Sequence, residues 1–158
     1  EKFNHPVTQV TWNDAMAYCS WKSEKSGRTY RLPTESEWEY VASSFGRMSV
    51  EEFYWNAGEA PKFCNIEETG LGDTTPVDYF ADTDTTGDVQ DMFGNVYEWT
   101  MDSQRQTAKS PANKLTYKLA RGGSFITSFK HIAHWRRIAF AMNYCTSFLG
   151  FRVVCVEE

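Results

Sequence analysis

Only two stretches of this chain carry the three- to four-residue apolar repeat of a helix, and both lie before residue 47. Each sits behind a helix-starting signal. Thr11 is followed three residues on by Asp14, the spacing of a capping box, in which side chain and backbone at the two positions satisfy each other's orphan groups. Trp12, Met16 and Cys19 then share one face, and Gly27 is a stop. The second signal is Pro33-Thr34-Glu35-Ser36-Glu37, with Thr34 as cap and acidic residues in the first turn, where they suit the helix dipole. Trp38, Val41, Ala42 and Phe45 form its apolar face, and Gly46 ends it.

Beyond Gly46 the repeat fades. Residues 50–120 are rich in Gly, Thr, Asp and Asn with short apolar pieces, which predicts long loops carrying short strands. Loops of such length in a compact domain are usually functional or held by an ion. The run from Gly150 to Val156 predicts a buried terminal strand. The expected class is α+β with much irregular structure, in one domain over residues 1–158.

Composition narrows the function classes. Aromatic residues make up 16% of the chain, too many for a disordered or fibrous protein. No apolar run approaches the roughly 18 residues of a membrane span, so no membrane contact by this domain is expected. Charge is uneven: residues 50–102 hold 13 acidic side chains and one lysine, whereas residues 121–152 hold five basic and no acidic ones. With a net charge of −5 no large positive field builds up, which argues against nucleic acid as a partner. Cys19, Cys64, Cys145 and Cys155 show neither a CxxC nor a metal spacing, and Cys19 and Cys155 read as small core hydrophobes. His5, His131 and His134 fit no zinc motif.

Two fragments carry little. Asp82 to Gly87 starts like a calcium-binding EF-hand loop, but Phe93 stands where the bidentate Glu is needed. Gly70-Leu71-Gly72 lacks the third glycine of a phosphate loop. The segment Asp91 to Trp99 is richer. Asp91 and Glu98 flank a Gly-Asn turn and, with backbone carbonyls, could hold a hard cation; equally, Glu98 could pair with an arginine across a hydrogen-bonded turn.

Four segments stand in order: RLPTESEWEY from Arg31, GNVYEW from Gly94, RGGSF from Arg121 and GFR from Gly150. Together they resemble the formylglycine-generating enzyme (sulfatase-modifying factor) family, from about His5 to Val154. The resemblance implies a variant of the C-type lectin fold with two helices, short strands and much irregular loop. Because the family domain starts further upstream, it also implies an N-terminal strand or segment before Glu1. The family's two catalytic cysteines fall, in this sequence, on Thr127 and Ile132. Neither residue is a thiolate or a soft copper ligand, so the expectation is a non-enzyme with no organic cofactor. The alternatives are a cofactor-dependent oxidase making formylglycine in sulfatases, or an undiversified interaction or regulatory domain. Iron-dependent sulfoxide synthases of this fold use a histidine-rich partner domain that these residues lack. The family's calcium site maps to side chains of Asp91 and Glu98 and backbone oxygens of Gly94 and Val96, so Ca²⁺ is the expected ion. A second calcium site would start at Asn65-Ile66, with Asp73 a candidate.

Between RGGSF and GFR the motif spacing is kept while many residues depart from the family. That pattern resembles the variable proteins of diversity-generating retroelements, of the treponemal variable-lipoprotein type. In such proteins adenine-specific mutagenesis of asparagine codons varies a C-terminal binding site. Ile126, Thr127, Ser128, Phe129, His131, Ile138, Phe140, Asn143, Tyr144 and Cys145 are all reachable from those codons. Lys130, Trp135 and Met142 are not, and read as fixed framework, with Trp135 a floor of the site. The resemblance thus implies a non-catalytic receptor domain, exposed at the cell surface or outside the cell, whose ligand is a protein or another macromolecule. Phe129, Phe140 and Tyr144 would face that ligand. Trp12, Trp21, Trp38, Tyr40, Phe93, Tyr97, Trp99, Phe125 and Phe151, in or beside the motifs, would hold the core.

Overall fold

A computed structural model describes residues 2–43, 58–80, 89–104 and 116–156. Phe45, Gly46 and the acidic run from Asp82 to Asp88 lie outside the described residues. Both expected helices form. Helix α1 spans Trp12–Ser26, capped by Thr11 and Asp14 in a complete capping box and closed by Gly27 in the left-handed conformation. Its inner face carries Ala15 and Cys19, both buried. Helix α2 spans Glu35–Ala42 behind a second capping box, Thr34 with Glu37, and buries Trp38 and Ala42.

Arg31 braces the start of α2. Its guanidinium grips the Glu37 carboxylate with two hydrogen bonds of 2.7 and 2.6 Å, while the Thr34 N–H donates to the same carboxylate at 2.8 Å. Arg31 first, and the Thr34 backbone second, hold the Glu37 carboxyl at about 2, below its ordinary 4.5. An unfolded chain takes up that proton near pH 4.5, so this stabilisation is complete above that pH and is lost as pH falls toward 2. Glu37 is 44% exposed, which screens the effect to about 1 kcal/mol. Glu37→Gln should flatten this part of the acid slope, read from denaturant unfolding at stepped pH.

Among the described residues, six short strands follow a plan that local pattern could not give. A central sheet has the order β4-β3-β2-β5, built from β2 (Tyr97–Ser103), β3 (Tyr117–Arg121), β4 (Arg137–Ala141) and β5 (Leu149–Gly150). The β2–β3 and β3–β4 pairs are antiparallel, and β5 runs parallel to β2. A separate ribbon pairs β1 (Thr29–Arg31) with β6 (Val154–Val156) antiparallel. The expected single terminal strand is therefore two. Leu149 and Gly150 are buried against β2, then the chain leaves the sheet, and the β6 end is half-buried to exposed. Cys155 is exposed with it, contrary to its reading as a core hydrophobe.

The core has two parts. Ala15, Cys19, Leu32, Trp99, Ala120 and Leu149 join α1 to the central sheet. Trp38, Ala42, Ala60, Cys64, Ile66, Met92, Phe93 and Ile132 join α2 to the loops. Of the motif aromatics, Trp38, Phe93, Trp99 and Phe125 are buried as expected, but Trp21 and Tyr40 are 52% and 56% exposed. Each lies on the outer side of its helix, where sequence position beside a motif says nothing of facing. Among the described residues no helix is long and apolar enough to cross a membrane.

Candidate ligand-binding site

The site is assembled on the buried Arg121 at the end of β3. Its guanidinium is fully enclosed, pairs with Glu39 and lies 3.5 Å from Glu35, both on α2. Its other amine donates to the Arg136 carbonyl at 2.8 Å. One buried cation thus ties α2 to the segment entering β4. A charge so enclosed is tolerated only when paired, which two carboxylates and a carbonyl achieve.

After Arg121 the chain turns through Gly122 and Gly123. The Ser124 N–H donates to the Thr127 hydroxyl at 3.0 Å, and the Thr127 N–H donates to the Ser124 carbonyl at 2.8 Å. Two outside residues clamp this turn. The Glu67 N–H donates to the Thr127 carbonyl, and the Glu68 carboxylate accepts from the Ser128 hydroxyl at 2.6 Å and the Phe129 N–H at 3.0 Å. Thr127 and Ile132 converge over Gly123: a Cβ built there would lie 2.1 Å from the Ile132 side chain and 3.5 Å from the Thr127 methyl. Both side chains are buried, and the Thr127 hydroxyl donates to the Tyr97 hydroxyl at 3.3 Å. Thr127 and Ile132, which the sequence resemblance is expected to place at the family's cysteine positions, are thus brought together as an alcohol and an alkyl group.

Beside this turn lies a cavity of about 660 Å³. Its apolar lining includes Tyr97, Ile126, Ile138, Phe140 and Phe148. Its charged lining is Lys130, Arg136 and Arg137, with Glu67 opposing them. Phe140 is the hinge between core and cavity. Its ring packs edge-on against Tyr97 and Trp99 and is stacked by Tyr144 at 5.2 Å.

Six of the expected ligand-site residues line this cavity: Ile126, Thr127, Ser128, His131, Ile138 and Phe140. Asn143, Tyr144 and Cys145 are exposed in the turn beyond β4, outside the lining but joined to it through the Phe140–Tyr144 stack. Two expectations are corrected. Phe129 packs against the α2 core rather than facing outward, because Glu68 holds the preceding turn and directs the ring inward. Trp135 is no floor. It is 39% exposed and sets its ring edge against the buried His134. Burial lowers the His134 pKa, the Glu39 carboxylate raises it and Arg121 lowers it further. Glu67, Tyr97, Lys130, Arg136, Arg137 and Phe148 also line the cavity and were not among the expected site residues. The clustered basic residues were the one signal in the sequence that pointed to Lys130, Arg136 and Arg137.

A second cavity, of about 340 Å³, is lined by Asp91, Asn95, Val96, Glu98 and Arg152. Three of the four expected calcium residues therefore share a wall, and Gly94 is not in that lining. The cation facing Glu98 is Arg152, whose Nε and Nη2 donate to the two carboxylate oxygens at 2.5 and 2.6 Å. The Trp38 indole N–H adds a third donor at 2.7 Å. An ionised carboxylate has about four lone-pair sites, so one remains for a metal, next to a positive guanidinium. Asp91 accepts from the Asn95 side chain at 2.8 Å. At the other expected calcium site, the Asp73 carboxylate pairs with Lys2 at 2.6 Å.

The fold and cavity together define a lectin-like scaffold that presents loops from one end of a small sheet. The chain matches the sulfatase-modifying factor enzyme 1-like domain family over residues 1–156 and belongs to that family. It is 33% identical over 167 residues to the inactive C-alpha-formylglycine-generating enzyme 2 of Bos taurus, covering 96% of this chain and 50% of that protein. It is 34% identical over 173 residues to the formylglycine-generating enzyme of Mus musculus, covering 94% of this chain and 44% of that protein. The chain spans about half the length of these curated relatives. Among solved structures, Treponema denticola variable protein 1 superposes with a TM-score of 0.81 at 22% identity, covering 96% of this chain and 71% of that one. PvdO from Pseudomonas aeruginosa gives 0.80 at 28% identity, covering 96% and 62%.

Proposed function

We propose that this domain is a non-catalytic ligand-binding module, and that its binding surface is the 660 Å³ cavity with the adjoining turn at Asn143–Cys145. One observation carries the reading. Thr127 and Ile132 converge over Gly123, where the resemblance puts the family's chemistry, and beside them opens a cavity lined by chemically mixed side chains. A hydroxyl hydrogen-bonded to Ser124 and Tyr97 and a buried alkyl chain offer no thiolate and no soft metal ligand. Some relatives carry the name formylglycine-generating enzyme and others the same name marked inactive, so the alternative is an oxidase. The test is incubation of the purified chain with a sulfatase-motif peptide, copper and oxygen, followed by mass spectrometry. No formylglycine is expected; conversion above the no-protein control would overturn the reading.

The proposal extends to diversification by a retroelement. Exposure supports it: Ile126, His131, Ile138, Asn143, Tyr144 and Cys145 carry little of the core, so replacement costs the scaffold little. Rigid aromatic and adaptable polar groups are mixed there, as in antibody paratopes. The partner would be a protein or other macromolecule met at the cell surface.

A calcium ion at Asp91, Gly94, Val96 and Glu98 is the remaining part of the proposal. It would take the lone-pair site that Arg152 and Trp38 leave on Glu98, at reduced affinity because of the neighbouring guanidinium. Calcium should then raise the melting temperature, and a chelator should lower it, in wild type but not in Asp91→Ala. Equal melting with calcium and with chelator would remove the ion.

A further inference from the structure

Resting on the reading of this cavity as the binding site, we infer that its ligand is an acidic segment of a protein, with a carboxylate beside an apolar side chain. Charged and apolar side chains divide the work. Lys130 comes from the short 3₁₀ turn Phe129–His131, whose first N–H donates to Glu68. Arg136 and Arg137 come from the chain entering β4. The same lining has an apolar share, Ile126, Tyr97, Ile138, Phe140 and Phe148, beside the polar Thr127, Ser128 and His131.

The protein neutralises these cations only in part: Glu68 lies near enough to Lys130 for the lysine to help lower its pKa. Among the described residues, no carboxylate lies within salt-bridge distance of Lys130 or Arg136. The Arg136 backbone is fixed in place, because its carbonyl accepts from the buried Arg121, while its side chain is exposed. Arg137 is engaged in part by Glu35 at 3.1 Å, and its side chain is still 63% exposed. Among the described residues Glu67 is the single carboxylate of the lining, against three cations, so the described lining is net positive on a chain of net charge −5. A local sign opposite to that of the whole molecule steers an anionic group to one place. Arginine matches a carboxylate with two parallel hydrogen bonds, and the apolar floor takes a neighbouring side chain out of water. Three cations around an apolar floor suit a short acidic segment better than the long phosphate track of a nucleic acid, which needs a basic groove with stacking platforms.

The test is selection of a random-peptide display library on the immobilised domain at physiological salt. Single-stranded oligothymidylate is titrated in parallel. Two variants read the outcome: Lys130→Gln with Arg136→Gln removes charge, and Ile126→Asn with Ile138→Asn removes apolar floor. All four side chains are exposed, and each variant is checked by thermal melting, with Ile126→Ser alone replacing the second pair if that pair melts early. Peptides pairing Asp or Glu with Phe, Leu or Ile are expected. They should bind the charge variant at least about tenfold more weakly, weaken with added salt, and lose binding to the floor variant. Neutral or basic peptides that depend on the floor but not on the charges would overturn this inference and leave the site reading standing. Tighter charge-dependent binding of oligothymidylate than of any peptide would overturn it in favour of nucleic acid. Absence of any binder sensitive to either variant would overturn both the inference and the site.

Discussion

Replacing Glu98 with alanine is expected to cost about 3–5 kcal/mol of stability, a large share of the roughly 5–15 kcal/mol that holds a domain together. The carboxylate is 5% exposed and serves three donors: two from Arg152 and one from the Trp38 indole. Its loss takes both carboxylate oxygens from a partly buried guanidinium, which keeps the carbonyls of Gln90 and Asp91, and removes the acceptor of an indole N–H. The cost arises from the lost charge-assisted bonds and from the buried indole N–H that loses its acceptor. Arg152→Met strands the carboxylate instead and should cost a similar amount. The double variant should cost clearly less than the sum of the two, because the charge that each single change strands is gone. Denaturant unfolding of the four proteins measures this; additive losses would show that the pair is not coupled.

The second large effect is at Gly94. Its φ is +76°, and a Cβ there would lie 2.3 Å from the backbone oxygen of Asn65. Backbone cannot swing aside as a side-chain tip can. Gly94→Ala therefore incurs the left-handed penalty of about 1–2 kcal/mol and must also push apart two loops. Those loops are joined by hydrogen bonds. The Asn95 N–H donates to the Asn65 carbonyl at 2.7 Å, and the Asn95 side chain exchanges two bonds with the Thr75 backbone. Asn65 and Asn95 are both buried, so a broken bond there leaves a polar group dry. A total of about 3 kcal/mol or more is expected. Gly70 makes the comparison clean. It has φ +69°, and a Cβ added there would meet nothing within 4 Å, so Gly70→Ala should cost only the backbone penalty. Equal melting temperatures for the two variants would show that the loops at Gly94 are not packed as described.

What the sequence made legible was local. Both capping boxes and the Gly27 stop depend on residues three or four apart, and each formed as expected. The sheet order depends on pairing across the chain, such as Glu98 opposite Gly150, and no local pattern encodes it. The same limit applies to the site. Glu98 could be read as paired to some arginine, but only the fold brings up Arg152, 54 residues away. Motif membership marked Trp38 and Trp99 correctly as core and misplaced Trp21 and Tyr40, because it carries no information on which side of a helix faces water. In the stretch read as variable, position alone could not separate Phe129, turned inward by the Glu68 clamp, from Ile126, which is exposed. Arg136 and Arg137 were visible only as a charge imbalance until β3 and β4 placed them on a cavity wall.

The claim that the wall of this cavity is a diversified binding surface has a direct measurement. The stretch encoding Ser124 to Phe148 is sequenced from several isolates, with a search nearby for a near-identical repeat. Substitutions are expected to concentrate at the exposed positions Ile126, His131, Ile138, Asn143, Tyr144 and Cys145 and at the half-buried Ser128, matched by adenines in the repeat, while Lys130, Trp135 and Met142 stay fixed. An invariant stretch with no such repeat, or substitutions no denser there than elsewhere in the domain, would contradict the account.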